Sequence, residues 1–370
     1  MCSSDLRMSV QAPVLIMAGG TGGHIFPGLA VAESLRAQGV PVVWLGASGG
    51  METQVVPAHG IELRTVPVGG LRGKGWRTLL AAPWRLAVAL TQALRVMRRR
   101  RPAIVVGLGG FVTGPGGIAA WLTRRPLIIH EQNAIAGFTN RCLAHLADEV
   151  LEAFPDSFSR AVRATTIGNP VREDIASAAT PQVRFAGRHG AINVLVFGGS
   201  QGAVRLNTVV PLALAQLGGS LALNVRHQAG ARWHEAAAQN YAKSGVRAEV
   251  TAFIEDMAEA YGWADLVVCR SGALTVCELA AVGVASILVP FPAAVDDHQT
   301  ANAAYLVDQG AAVLIADRDL TPQRLCETLR KLCADRVPLL EMAIKARDLA
   351  QPRAAQDLAE ACLRYAEGAA

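Results

Sequence analysis

The feature that most constrains this chain is a unit that occurs twice: a short apolar run, a loop crowded with glycine, and then a stretch of helical length. Val14–Ala18 leads into Gly19-Gly20-Thr21-Gly22-Gly23-His24, and Val194 to Phe197 leads into Gly198-Gly199-Ser200-Gln201-Gly202. The runs Val42 to Leu45, Ile104 to Val106, Leu127 to Ile129, Leu266 to Val268 and Ile287 to Val289 are likewise continuously apolar. Parallel strands covered by helices on both faces read this way. The fold class is therefore α/β, with two doubly wound Rossmann-like domains that face one another across a cleft. Ligands of such sheets bind beyond the strand ends. A length of 370 residues also exceeds what one core usually supports.

Local composition sets the expected boundaries. Residues 1–11 lack an apolar core of signal-peptide length and are expected to be a disordered extension. The first domain covers 12–170. The strand pattern stops in a stretch carrying Pro181, Gly187 and a mixture of Ala, Ser and Thr, so 171–190 is expected as a linker. The second domain covers 191–345, and the helical segment 346–370 is expected to pack back on the first domain.

Hydrophobic residues make up 51% of the chain and charged residues 18%, which excludes a largely disordered protein. No apolar segment is long and uninterrupted enough to span a membrane. Seven cysteines without C-x-x-C spacing suggest neither a disulfide framework nor a zinc knuckle. The net charge of +5 favours an anionic partner. The basic residues crowd one stretch: Arg72, Lys74, Arg77, Arg85, Arg95 and Arg98 to Arg101 are interleaved with Trp76, Leu79, Leu80 and Trp84. Tryptophan beside arginine suits an anionic lipid interface, although an amphipathic helix with a solvated cationic face has the same composition.

The first glycine loop follows a strand and precedes a helix, so its backbone N–H groups and the helix dipole suit a phosphate. A tight strand-to-helix turn would need the same glycines. The loop departs from G-x-G-x-x-G and lacks a P-loop lysine, which weakens dinucleotide and ATP readings. Gly107 to Gly117 and Gly198 to Gly202 offer two further anion cradles, and three such loops point to phosphate at the cleft. Arg270 to Glu278 is a fourth strand exit, with Ser and Thr donors at a helix start and a carboxylate one turn inside. Glu278 could accept both hydroxyls of a ribose or serve only as a helix-entry charge. Asp296-Asp297 has no second cluster at ligand spacing, so no metal site and no cofactor are expected.

Eight motifs now carry a resemblance over essentially the whole chain: GGTGGHIFPGLAVA, GLRGKG, GGFVTGPGG, HEQNAIAG, GNPVR, GGSQGA, CRSGALTVCEL and PFPAAVDDHQTANA. In that order they resemble the MurG family, UDP-N-acetylglucosamine transferases of the GT-B fold. One departure is Gly283-Val284-Ala285, where the family commonly has a proline; it falls at a strand entry, outside the site.

The resemblance implies that the second domain holds UDP-N-acetylglucosamine, with Arg172 and Ile254 near uracil and Ser200 at the phosphates. Ala273, Leu274 and Thr275 would line the phosphate and sugar, Val276 and Cys277 would belong to the same donor-binding run, Glu278 would bind the ribose, and Gln299 would contact sugar hydroxyls. Thr21, Gly22, Gly23 and Asn133 would complete the donor site. His24, with Glu131 as a neighbour, would activate the acceptor. The implied reaction is inverting transfer onto undecaprenyl-pyrophosphoryl-N-acetylmuramoyl-pentapeptide (lipid I), giving the β-1,4-linked disaccharide lipid of peptidoglycan synthesis. Trp76, Leu79 and Trp84 would dip into the cytoplasmic face of the bacterial membrane, where other cell-wall synthesis proteins are further partners and nucleic acid is not. Two rivals share the nucleotide: a UDP-N-acetylglucosamine 2-epimerase, which needs no acceptor, and a catalytically idle nucleotide-sugar sensor.

Overall fold

The computed structural model describes residues 12–68, 82–199 and 202–368. The chain divides into two compact units, one formed by 1–170 with 353–370, the other by 171–352.

Among the described residues, the sheet of the first unit contains β1 (Val14–Ala18), β2 (Val42–Ala47), β3 (Glu62–Val66), β4 (Ile104–Gly109), β5 (Leu127–Glu131), β6 (Glu149–Glu152) and β7 (Thr165–Thr166). Their order is β3-β2-β1-β4-β5-β6-β7, parallel throughout. All five residues of β1 are buried, as a strand with helices on both faces requires. Between β1 and β4 the strand order reverses direction, and ligands of such sheets bind there. The β1–β4 register shifts at Met17/Ala18, so that Ala18 pairs with Gly109 and the two glycine loops start side by side.

Trp44 on β2 is fully buried, and its Nε1–H donates to the Ala18 carbonyl at 2.8 Å, pinning the strand end ahead of the first loop. Its ring lies so close to the helix Gly22–Ala37 that a Cβ on Gly28 would come within 2.5 Å of it. The other side of that helix is covered by the helix Ala354–Gly368, where Leu358, Ala359, Ala361 and Cys362 join one core with Leu29, Ala32 and Leu35. The unit boundary falls at 352/353, several residues beyond the expected start of the C-terminal segment.

In the second unit β8 (Ile192–Phe197), β9 (Leu223–Gln228), β10 (Glu249–Thr251), β11 (Leu266–Cys269), β12 (Ala285–Leu288) and β13 (Ala312–Leu314) form a parallel sheet of order β10-β9-β8-β11-β12-β13. The switch point lies between β8 and β11, and β11 is followed by the loop 270–272.

The expected linker 171–190 is instead part of this unit. It forms the helices Glu173–Ala176 and Pro181–Phe185, with Ile175 and Phe185 buried. Arg184 donates to the carbonyls of Tyr261, Val282 and Gly283. Arg188 pairs with the fully buried Asp265 carboxylate, which also meets Arg336 and accepts from the Asn193 amide. An arginine that satisfies buried carbonyls acts as a clamp, a role that Pro and Ala/Ser/Thr composition conceals.

Candidate functional site

In the first unit, Thr21 caps the helix Gly22–Ala37 from an extended conformation, and the His24 amide turns back to the Thr21 carbonyl at 3.1 Å. Gly20 has φ +96°, a region that excludes ordinary side chains. The second loop lies directly against the first: a Cβ on Gly110 would sit 2.3 Å from the Gly19 carbonyl oxygen, and one on Gly109 would sit 2.7 Å from the His24 ring. Thr21, Gly22, Gly23 and His24 thus share the mouth of the β1/β4 switch point with the Gly109–Gly110 turn. Beneath them is a group the sequence did not single out. Glu52 is fully buried, with its carboxylate accepting from the amides of Ala47 and Gly20.

β5 delivers the HEQN residues to the same end of the sheet. His24 Nδ1 lies 2.7 Å from Gln132 Oε1, and the Gln132 amide nitrogen reaches His130 Nδ1 and the His130 carbonyl. Burial pushes His130 down to about 4, so the ring is neutral near pH 7. Glu131, expected as the neighbour of His24, is engaged with its own loop. It is 2% exposed, and its two oxygens accept from the amide and side chain of Asn133, the amide of Gly137 and the side chain of Asn140. A carboxylate with both oxygens filled in this way orders the 131–140 loop. It also fixes Asn133, which was expected to contact the donor.

The second unit presents the helix Ala273–Val282 from the end of β11, with Gly272 at its N-cap. Leu274, Thr275 and Cys277 are partly exposed, whereas Ala273 is buried and Val276 has no exposed surface. Val276, expected in the donor-binding run, therefore packs its side chain inside the unit. Glu278 is 8% exposed and accepts a hydrogen bond from the Tyr261 hydroxyl at 2.9 Å. Burial pushes its carboxyl up to about 7, opposed by that hydrogen bond and by the positive charge of Arg172. Arg172 is thus electrostatically coupled to the expected ribose ligand. No sequence pattern announces Tyr261, which lies on the short helix Met257–Trp263.

Ile254 is partly exposed in the loop between β10 and that helix. Gln299 starts the helix His298–Val307, where its side-chain oxygen accepts from the Phe291 amide and its carbonyl accepts from the Ser271 hydroxyl. Gln299 therefore braces the 270–272 and 290–298 loops against each other. Ser200 lies outside the described residues, as do Trp76 and Leu79. Trp84 is described, and it is 73% exposed near the start of the helix Ala82–Arg100.

Comparison with known proteins follows this division. Residues 14–152 match the glycosyltransferase family 28 N-terminal domain and residues 193–359 the family's C-terminal domain. A protein of Nitrosococcus oceani named "UDP-N-acetylglucosamine--N-acetylmuramyl-(pentapeptide) pyrophosphoryl-undecaprenol N-acetylglucosamine transferase" is 55% identical over 355 residues, covering 96% of this chain and 99% of its own. The crystal structure of Acinetobacter baumannii MurG superposes with a TM-score of 0.83 at 42% identity, covering 95% of this chain and 99% of that one. A UDP-GlcNAc 2-epimerase from Neisseria meningitidis has a TM-score of 0.68 at 12% identity, over 95% of this chain and all of that one, a likeness of fold alone. The chain belongs to the MurG family of glycosyltransferase family 28 and has its two-unit GT-B fold.

Proposed function

We propose that this enzyme transfers N-acetylglucosamine from UDP-N-acetylglucosamine to lipid I with inversion, forming a β-1,4 linkage. The observation that carries the reading is identity of 55% spread over both units to proteins named for that transfer. The same identity separates the chain from the epimerase, which shares fold at 12%.

In this reading the second unit holds the nucleotide. Glu278 accepts the ribose hydroxyls, Arg172 and Ile254 flank the base, and the N-terminus of the helix Ala273–Val282 stabilises charge developing on the departing diphosphate. In the first unit, His24 removes the proton of the attacking sugar hydroxyl, with Thr21, Gly22 and Gly23 supplying backbone donors. Ser200 and Gln299 belong to the donor side. Transfer needs no divalent cation in this reading, because backbone donors and the helix dipole carry the neutralisation. The exposed Trp84, with Trp76 and Leu79, seats the enzyme peripherally on the cytoplasmic face of the membrane that holds the lipid acceptor.

The test is incubation of the full chain with UDP-N-acetylglucosamine and a lipid-pyrophosphoryl-muramoyl peptide, with and without a chelator, followed by mass analysis of the lipid. We expect a gain of one N-acetylhexosamine in both arms. An unchanged lipid mass without chelator sinks the transferase reading, and loss of product with chelator alone sinks the metal-free one.

A further inference from the structure

We propose that Gln132 is a positioning residue that sets the tautomer of His24, holding the proton on Nδ1 and leaving the Nε2 lone pair for the acceptor hydroxyl. The inference rests on the reading of His24 as the base, and it follows from a hydrogen-bonded chain inside the first unit.

Two backbone carbonyls decide the direction of that chain. The His130 carbonyl lies 3.0 Å from Gln132 Nε2, and a carbonyl can only accept, so the amide nitrogen must occupy that position. The Gln132 oxygen therefore faces His24 Nδ1 at 2.7 Å. An amide oxygen also only accepts, so His24 Nδ1 carries the hydrogen. The second N–H of the same amide points to His130 Nδ1 at 3.1 Å, which must be a lone pair. His130 accordingly keeps its proton on Nε2, which donates to the Gly168 carbonyl at 2.9 Å. Each group in the chain has one arrangement compatible with both carbonyls. The neutrality that burial imposes on His130 preserves the lone pair that the arrangement needs.

The chain is also rigid. His130 and Gln132 are 0% and 1% exposed. The His24 ring rests on Gly109, where a Cβ would come within 2.7 Å of Cε1 and Nδ1. A free imidazole in water favours the opposite tautomer, with the hydrogen on Nε2, which could not accept a proton at that atom. When His24 takes the acceptor proton on Nε2, the Nδ1–H bond to Gln132 becomes charge-assisted and strengthens. A neutral amide gives this support without the standing negative charge that would favour imidazolium before the reaction.

The test is a long-range ¹⁵N–¹H correlation spectrum of the full chain at a pH where His24 is neutral. His24 is assigned by comparison with His24→Ala, and wild type is set beside Gln132→Met and Gln132→Glu. Expected are an Nδ1–H His24 in wild type, a shift toward Nε2–H in Gln132→Met, and retention of Nδ1–H in Gln132→Glu, whose carboxyl takes up a proton on the oxygen facing the His130 carbonyl and keeps its other oxygen opposite the His24 ring. With Gln132→Met, kcat falls by at least about tenfold, part of the ~10²–10⁴ that a general base supplies, while KM for UDP-N-acetylglucosamine stays unchanged. An Nε2–H His24 in wild type, which needs no variant to fold, overturns the proposal. So does an unaltered tautomer in folded Gln132→Met. Failure of the base reading shows elsewhere: His24→Ala then keeps wild-type kcat whatever the tautomer.

Discussion

Glu278 is the residue whose environment makes the sharpest prediction. Its carboxyl is raised from 4.5 to about 7, burial being the main cause. A carboxyl raised on folding contributes stability that is full below pH ~4.5 and lost as pH rises through about 7. Ribose hydroxyls donate best to the ionised form, so the proposed complex releases a proton when it forms below pH 7. UDP-N-acetylglucosamine, whose diphosphate diester does not titrate in this range, should therefore gain roughly tenfold in affinity between pH 6 and pH 8, one linked proton. Calorimetry in buffers of different ionisation enthalpy reads the proton directly. Glu278→Gln should weaken binding by about 1.5–3 kcal/mol and flatten the pH dependence. An affinity that ignores both pH and substitution would return Glu278 to a helix-entry charge held by Tyr261.

At the scale of elements, the C-terminal helix Ala354–Gly368 is held by its apolar face. Leu358 is fully buried in the core shared with Leu29 and Leu35, whereas the ion pair of Arg364 with Glu149 at 3.0 Å leaves the arginine side chain 61% exposed. Deleting the buried methyl groups removes both transfer energy and packing, so Leu358→Ala should cost about 2–5 kcal/mol. Arg364→Ala should cost under about 1 kcal/mol, because solvent screens an exposed pair. Urea unfolding monitored by circular dichroism compares the two. Equal losses would mean that charge, not burial, docks this helix.

The whole molecule is proposed to sit peripherally on a membrane surface. Among the described residues, no helix is long and apolar enough to cross a membrane. The helix Ala82–Arg100 buries Ala89, Ala93 and Met97 at four-residue spacing while Trp84 and Leu86 stand exposed at its start beside Arg85. An amphipathic element explains the buried stripe and leaves the exposed tryptophan unexplained, which supports the interfacial reading. Wild type should co-sediment with anionic vesicles more than with neutral ones. Salt should weaken that binding as the screening length contracts to about 10 Å at 0.1 M. The Trp76/Leu79/Trp84→Ser variant should lose most of it. Full binding by the variant would assign this surface another task.

Strands β1, β2, β4, β5, β8, β11 and β12 were legible in the sequence because burial on both faces demands an apolar run, as in β1 and β4. The interior β6 and β9 escape that reading, because Glu149, Glu152, Asn224, Arg226 and Gln228 interrupt the pattern. The peripheral strands β3, β7, β10 and β13 were not: they are short or carry residues such as Glu62, Arg64 and Glu249 on solvated positions, and that reads as loop. The glycine loops, His24 and Glu278 could be named from local chemistry and from motif order. Their partners could not. Tyr261 reaches Glu278 across 17 residues, and Gln132 reaches His24 across 108. Glu131 and Gln132 are neighbours in the chain, yet one closes a loop and the other faces the candidate base. Sequence determines which groups can donate or accept; only packing brings the His130 carbonyl to the Gln132 amide and the Gly168 carbonyl to the His130 ring, and those two contacts decide which nitrogen of His24 keeps its lone pair.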